Sequence, residues 1–269
     1  MLQQLTSHLA TRTLWQAAFY SLAINIFIFG LAMSLGKWVL RQPNSQFVAH
    51  KPTATTFFEW RMAGLTVLLN AFVNWLGWWL WQQGWVVVVH CYGWCVFTDL
   101  LFLFLTMDLA MYVLHRVAHH RLLYGWVHAL HHRYENPQPI SLFVLNPAET
   151  LGFGGLWLVL LCLRPVSWWA VIIYLTANLI FGLVGHLGIE PFPRKITKIF
   201  LLKWFTTSTF HAHHHQDAHV NFGFYTLIWD KLFNTLARYY SSHFGQLPPH
   251  KITPLPDQEN TPANNPKPL

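Results

Sequence analysis

"MYVLHRVAHH" (residues 111–120) is the stretch in which an apolar run long enough to cross a bilayer ends in three histidines, His115, His119 and His120. A single histidine at a helix end needs no functional explanation, because imidazole is an ordinary hydrogen-bonding group. Here, however, more histidines follow in "HALHH" (128–132), "GHLG" (185–188) and "HAHHH" (211–215). Both the fold and the function depend on what these histidines bind together.

The composition around this stretch is that of an integral membrane protein. Of 269 residues, 54% are hydrophobic, 10% are charged, and the mean hydropathy is +0.30. Such a chain is too apolar for an ordinary soluble domain. We expect an N-terminal transmembrane region (1–92), a catalytic domain (93–245) and a disordered C-terminal tail (246–269), whose composition is polar and rich in proline.

Hydropathy predicts the path of the chain through the membrane. A helix needs about 20 apolar residues to span a bilayer, and three stretches qualify: 14–35, 62–81 and 93–114. Residues 151–163 are shorter and turn at Arg164-Pro165 into a returning leg, 166–186, which predicts a hydrophobic hairpin. The predicted fold is therefore an all-α, multi-pass integral membrane protein with about three transmembrane helices plus this hairpin. Because a hairpin returns to the face it left, every histidine group is expected in one helical cap on one side.

The distribution of charge gives that side an orientation. Of the 17 Lys and Arg residues, only Arg12 and Arg164 fall opposite the histidines, which leaves 15 on the histidine side. The positive-inside rule therefore predicts that the histidines face the cytoplasm. The net charge of +7 lies beside membrane ends without a nucleic-acid recognition motif, so we expect membrane lipids as partners and no nucleic acid. Residues 193–205 alternate basic and apolar side chains, which predicts a helix lying in the membrane interface.

Helical spacing selects the histidines that can share a metal. Side chains at i, i+3 and i+4 lie on one helix face. The first histidine group has an i, i+4 pair, and the groups at 128–132 and 211–215 each have histidines at i, i+3 and i+4. His120 and His213 are expected to face elsewhere. His186 stands alone in sequence but ends the returning leg of the hairpin, on the same membrane face. The predicted metal ligands are His115, His119, His128, His131, His132, His186, His211, His214 and His215.

The kind of metal site follows from what accompanies these imidazoles. A hydrolytic zinc site usually needs a carboxylate base, and the run from His115 to His119 lacks the glutamate of the zinc-protease motif. Glu-x-x-His pairs of carboxylate-rich di-iron bundles do not occur either. An all-nitrogen site with two non-haem iron ions, oxidising a lipid with O2, is favoured. A histidine-rich metal transporter, a haem-binding subunit and a catalytically inactive lipid-binding relative remain alternatives.

The order of these motifs resembles the fatty acid hydroxylase and sterol desaturase superfamily over roughly residues 95–240. The match consists of the H-x-x-x-H and two H-x-x-H-H boxes, Asp108 and Tyr112 upstream, and "NPAE" (146–149). The resemblance implies a membrane-bound di-iron oxygenase that hydroxylates or desaturates a fatty acyl, sterol or related chain and takes electrons from an external donor protein. Asn234 departs from the pattern, because relatives usually have glycine there, and this affects the shape of a loop.

Three acidic residues are expected to support the ligands. Asp108 lies two helical turns before His115, so we expect it to accept a hydrogen bond from a ligand ring or to pair with an arginine. Glu149 is expected either to contact a ligand or to stabilise the start of a helix, and Asp230 to organise the last turn near the metals. The cysteines, Cys91, Cys95 and Cys162, lack zinc or redox spacing and are expected to be apolar fillers.

Overall fold

A computed structural model of the chain describes residues 11–42, 46–51 and 54–247. The predicted disordered tail therefore lies, from residue 248 onwards, outside the described residues. The helices are α1 (Leu14–Leu40), α2 (Phe57–Gln82), α3 (Trp94–Ala118), α4 (Tyr124–Val127), α5 (Ala129–His132), α6 (Pro147–Leu163), α7 (Trp168–Gly185), α8 (Ser208–Gln216) and α9 (Ile228–Leu232). Short 3₁₀ segments cover Pro139–Phe143, Arg194–Lys198 and Leu202–Trp204.

Hydrophobic length and polar caps explain where the long helices lie. Among the described residues, α1, α2, α3 and α7 are long and apolar enough to cross a membrane, and α6 is a shorter apolar helix of 17 residues. Thr13 and Thr56 begin α1 and α2 with capping boxes, while Asn146 and Ser167 cap α6 and α7. The all-α integral membrane fold and the α6–α7 hairpin are thus confirmed, and α7 is itself long enough to span.

The end of the bundle opposite the histidines is closed by two loops that meet. Strands β2 (Val88–Val89) and β3 (Val166–Ser167) pair in parallel. Asp99, which is buried, accepts hydrogen bonds from Arg164 Nη2 at 2.5 Å and from the Ser167 amide at 2.7 Å. A disulfide also joins Cys91 and Cys95. The prediction that these two cysteines are apolar fillers is therefore wrong, because the chain turns at Gly93 with a positive φ of 66° and brings them together at the start of α3.

The histidine end is built on a polar bridge inside the hydrophobic core. Tyr225 donates to Asn178 Oδ1 at 2.6 Å, so the Tyr174 hydroxyl, also at 2.6 Å, must donate to Tyr225. Trp157 stacks on Tyr174 with the ring centroids 4.8 Å apart. Strands β1 (Gln46–Phe47) and β4 (Ile189–Glu190) pair antiparallel and tie the loop after α1 to the segment after α7. These contacts join the hairpin to the loop that precedes α9.

The segment predicted to form an interfacial helix has a different local structure. Residues 194–198 and 202–204 form two separate 3₁₀ turns, with Ile199 in extended conformation between them. The prediction of one continuous helix over 193–205 is therefore wrong. Pro191 and Pro193 precede the segment and favour an extended backbone before it.

Candidate metal centre

Four pieces of the chain bring the predicted histidines to one end of the bundle. His115 lies in the last turn of α3, and His119 is the residue that ends that helix. The second box lies on α4–α5, the third on α8, and His186 ends α7. Since α3 and α7 both end here, the two apolar helices place their histidines at the same end of the bundle.

Five of these histidines form one cluster, which we call the five-histidine cluster. One ring nitrogen from each lies within 4.8 Å of the others. His115 Nε2 lies 3.0 Å from His128 Nε2, and His132 Nε2 lies 3.0 Å from His214 Nε2 and 3.2 Å from His119 Nε2. The cluster consists of His115, His119, His128, His132 and His214.

The other four form an adjoining group, the four-histidine cluster, with the same 4.8 Å limit between ring nitrogens. His211 Nε2 lies 3.1 Å from His186 Nε2 and 3.0 Å from His215 Nε2. His131 Nε2 lies 3.5 Å from His186 Nε2. His131 and His132 are neighbours in sequence, so the two clusters adjoin through α5.

The nine histidines in the clusters are the nine predicted ligands, but they are divided differently from the sequence boxes. His131 belongs to the second box in sequence, but its ring lies in the four-histidine cluster. His214 belongs to the third box, but its ring lies in the five-histidine cluster. The other nearby histidines of the described chain stay out of both clusters. His120 is exposed, His219 is exposed, and His213 Nε2 lies 3.3 Å from the Gln246 carbonyl oxygen.

The hydrogen bonds of the rings show that these clusters suit a cation. His115 Nδ1 lies 2.8 Å from the Phe222 carbonyl oxygen, and His128 Nδ1 lies 2.8 Å from Glu149 Oε1. With neutral rings and an ionised Glu149, both Nδ1 atoms donate, which leaves a lone pair on each Nε2. Those two lone pairs face each other at 3.0 Å. In this state no proton lies between them, so a metal ion that both rings bind fits the arrangement and also balances the charge of Glu149.

The four-histidine cluster repeats this pattern. His186 Nδ1 lies 2.8 Å from the Gly182 carbonyl oxygen, so His186 Nε2 also carries a lone pair toward His211. In the five-histidine cluster, His214 Nδ1 is held in the same way by the Val220 carbonyl oxygen at 2.7 Å. Backbone carbonyls thus fix the ring tautomer that presents Nε2 for metal binding.

Burial keeps these rings in the neutral form that binds metals. Burial, followed by the charges of neighbouring histidines, lowers the pKa of His214 and His215 well below the usual value. Burial and the charge of His115 lower the pKa of His132 to about 3. At neutral pH the clusters are therefore collections of uncharged imidazoles, and neutral imidazole is the ligand form for iron, zinc and copper.

Glu149 contacts a ring nitrogen directly, and Asn146 rather than Glu149 caps the helix. Glu149 lies in the first turn of α6. The cap of that helix is Asn146, whose Oδ1 accepts from the Ala148 amide at 2.9 Å, and Pro147 occupies the first helical position. Glu149 is buried, and among the described residues its second oxygen, Oε2, has no hydrogen-bond partner. A buried carboxylate in this state is costly without a nearby positive charge. The arrangement again suits a cation on His128.

Asp108 has a different role from either one expected. Its carboxylate accepts from the Tyr225 and Thr226 amides at 3.0 and 3.2 Å and from Trp229 Nε1 at 3.0 Å. The prediction of a contact to a ligand ring or to an arginine is therefore wrong. Asp108 instead anchors residues 225–229 to α3, because unpaired amides in this apolar setting need an acceptor.

Asp230 organises the last turn and acts on the five-histidine cluster through the backbone. It accepts from the Phe222 and Gly223 amides at 2.8 and 2.7 Å, and the Phe222 carbonyl in turn holds His115. Asn234, where relatives usually have glycine, has a positive φ of 56°. Asparagine tolerates this left-handed conformation better than most residues, so the turn keeps its shape.

Glu190 is a supporting residue that spacing did not reveal. It is buried and accepts from the Thr209 amide at 3.0 Å and from the Thr209 hydroxyl at 2.6 Å, which fixes the first turn of α8. A sequence signal does exist, because Glu190 is the only acidic residue between Glu149 and Asp217. An isolated acid in a stretch that otherwise lacks carboxylates favours a partner within the fold.

A narrow cavity, with free space of about 10 Å³, borders the four-histidine cluster. Its wall combines the ends of α7 and α8, including His186 and His211, with aromatic side chains from Phe181 and Phe224. Gly185 lies opposite the His211 ring, where an added Cβ would stand 3.5 Å from it. The cavity offers an apolar space beside the ring nitrogens, which suits one end of a hydrophobic molecule.

The fold and site define a multi-pass membrane protein with two adjoining histidine clusters able to bind metal. The family model "Fatty acid hydroxylase" matches residues 100–235, just over half of the chain. The chain therefore belongs to the fatty acid hydroxylase family, which confirms the resemblance in the sequence.

The curated proteins that the chain resembles include enzymes named for their action on sterols. It is 28% identical to methylsterol monooxygenase 1 of Danio rerio over 49% of this chain and 45% of the relative. It is also 28% identical to lathosterol oxidase of Rattus norvegicus over 62% of this chain and 54% of the relative. The chain spans about half the length of the curated relatives it matches. No solved structure matches it.

Proposed function

We propose that this protein is an O2-dependent oxidoreductase that hydroxylates or desaturates a sterol-class lipid, with an iron ion in each histidine cluster. The observation that carries the proposal is the pair of adjoining clusters, in which nine ring nitrogens converge at the ends of membrane helices. The names of the relatives, methylsterol monooxygenase and lathosterol oxidase, support the substrate class.

Iron bound here would supply the activation of O2 and the removal of hydrogen from a C–H bond. The protein's own residues do the positioning. Phe222, Val220 and Gly182 fix ring tautomers through their carbonyl oxygens, and Glu149 does so for His128. The buried rings also exclude water from the reacting region.

The lipid would present its reacting carbon in the cavity between Phe181 and Phe224. That cavity opens beside the ends of α7 and α8, and its free space of about 10 Å³ would have to widen, through movement of Phe181 and Phe224, to admit part of a sterol-sized molecule. The remainder of the molecule would stay between helices in the bilayer. Apolar walls with polar ring nitrogens at one end provide the orientation such a reaction needs.

We also propose that the clusters face the cytoplasm. The excess of Lys and Arg on the histidine side supports this orientation. The Cys91–Cys95 disulfide supports it independently, because it lies at the opposite end of the bundle, and disulfides persist in oxidising compartments. A separate electron-donor protein would then dock near the clusters, where Arg116, Arg121 and Arg133 are exposed and suit an acidic partner.

The test begins with the full chain, expressed with iron and purified in nanodiscs. Elemental analysis should give about two irons per chain, with no Soret band in the optical spectrum. With a reductase system and oxygen-18, incubation with a methylsterol or with lathosterol should give a labelled alcohol or a product lacking two hydrogens. The His214→Ala variant is the inactive control. A haem spectrum, or iron-loaded protein that oxidises neither sterol, would reject the proposal.

A further inference from the structure

A second cleft lies on the histidine side of the membrane, and none of the nine clustered histidines lines it. It has a volume of about 430 Å³ including its open mouth and lies between the 3₁₀ segments of residues 194–204 and the turns around α9. Its wall is mainly apolar, with Ile196, Leu202, Phe205 and Phe244 among its residues. Lys203 and Lys231 also line it, and we call it the two-lysine cleft.

Both lysines line the cleft and approach the Trp204 ring, and neither is paired with a carboxylate among the described residues. Lys231 Nζ lies 3.8 Å from the centroid of the Trp204 ring, and Lys203 Nζ lies 5.9 Å from the same centroid. Among the described residues, neither ammonium group forms a salt bridge. Burial and then the charge of Lys203 lower the pKa of Lys231, as expected when two like charges approach. Such a pair is stabilised by an anion that both can bind.

The surface beside the cleft shows what kind of molecule carries that anion. Phe200 and Leu201 are 74% and 68% exposed, and Ile199 is 49% exposed. A water-soluble anion or an acidic protein would leave this apolar surface in water, whereas a lipid covers it with acyl chains. The segment also carries the exposed Lys195 and Lys198, which is typical of a surface at the level of phospholipid headgroups.

We propose that the two-lysine cleft binds an anionic phospholipid of the bilayer. The headgroup phosphate lies between Lys203 and Lys231, and the acyl chains extend over Phe200 and Leu201. This site is separate from sterol oxidation, and it stands whether or not the proposed reaction is correct.

The position of the cleft links a bound lipid to the metal centre. Thr207, the residue before α8, lines both the two-lysine cleft and the cavity beside His211. Its hydroxyl lies 3.4 Å from the Tyr240 hydroxyl, which is also in the wall of the cleft. A lipid that orders these walls therefore also stabilises the start of α8, and thermal unfolding of the full chain should shift upward when it binds.

The experiment is native mass spectrometry of the full chain released from detergent after titration with dioleoyl-phosphatidylglycerol. Dioleoyl-phosphatidylcholine and inorganic phosphate are the comparison probes. Each Lys contributes about fivefold to binding of an anionic lipid, so Lys203→Gln and Lys231→Gln should each weaken phosphatidylglycerol about fivefold and the double variant about 25-fold. Lys195→Gln and Lys198→Gln, on the same segment but outside the cleft wall, should change it less than twofold.

Several results would overturn the proposal. If Lys195→Gln or Lys198→Gln weakened phosphatidylglycerol binding as much as the cleft variants do, the lipid would be attracted to the basic surface in general and not bound in the cleft. Equal binding of phosphatidylcholine would mean that the apolar surface acts alone, and displacement by inorganic phosphate at similar concentration would mean a free-anion site. If the double variant does not fold, Lys231→Arg decides instead, because it keeps the charge and should retain the lipid that Lys231→Gln loses.

Discussion

Glu149 offers the sharpest test of how the five-histidine cluster is held. Its Oε1 lies 2.8 Å from His128 Nδ1 inside the protein, so Glu149→Leu removes the side-chain acceptor that holds this ring nitrogen among the described residues. A hydrogen bond to a charged group is worth about 1.5–3 kcal/mol, which corresponds to a loss of roughly 10–100-fold in metal affinity. Glu149→Gln keeps an acceptor oxygen but loses the charge, so we expect about half of that free-energy loss.

The assay is metal content and chelator competition on purified protein. Because Glu149 contacts the five-histidine cluster alone, Glu149→Leu should lower iron from about two per chain toward about one at limiting iron. Glu135→Gln, an exposed acid on the same side, is the matched control and should change nothing. Unchanged affinity in Glu149→Leu, or equal loss of both ions from protein with normal thermal unfolding, would refute the reasoning.

Three further predictions concern other parts of the molecule. His131→Ala should remove metal from the four-histidine cluster and abolish oxidation, whereas His120→Ala, at an exposed ring outside both clusters, should keep most of both. Gly223→Ala should destabilise the protein by about 1–3 kcal/mol, because its Cβ would lie within 2.7 Å of two oxygen atoms, while Gly125→Ala, with open space, should be neutral. Asp99→Asn should lower the free energy of unfolding by about 1–3 kcal/mol through loss of a buried charged acceptor.

Each of these has its own contradicting outcome. Equal damage from His120→Ala and His131→Ala, measured by iron content and product formation, would mean that the helical faces are wrongly assigned. A Gly223→Ala protein as stable as Gly125→Ala would mean that the turn beside Asp230 is not tightly packed. An Asp99→Asn protein with unchanged thermal unfolding would show that the end opposite the histidines does not depend on the Asp99 contacts.

Local periodicity explains what could be predicted from the sequence. The spans follow from runs of apolar residues, because backbone groups in a bilayer must be satisfied within a helix. Eight of the nine histidines follow from i, i+3 and i+4 spacing, and the ninth, His186, follows from the geometry of a hairpin that returns to its starting face. These features depend on a few turns of helix and can therefore be predicted without knowledge of tertiary contacts.

What the sequence did not reveal depends on distant parts of the chain. Asp108 binds amides more than 100 residues away, and Glu190 binds the start of α8, so neither partner is visible in local spacing. The Cys91–Cys95 disulfide depends on a backbone turn at Gly93 rather than on helical spacing. The 193–205 segment has a helical pattern of side chains but forms two 3₁₀ turns, and its contacts from Trp204 to Leu227 and Lys231 are with a distant part of the chain.

The exchange of histidines between the boxes makes the two halves of the chain depend on each other. A cut at the Arg164-Pro165 turn would leave the first half with four of the five members of one cluster, all but His214. The second half would keep three of the four members of the other cluster, all but His131. Each fragment would thus hold an almost finished metal site that only the other fragment completes. Co-expressed halves would therefore have to assemble before either site is whole, and metal retention would report on their reassembly.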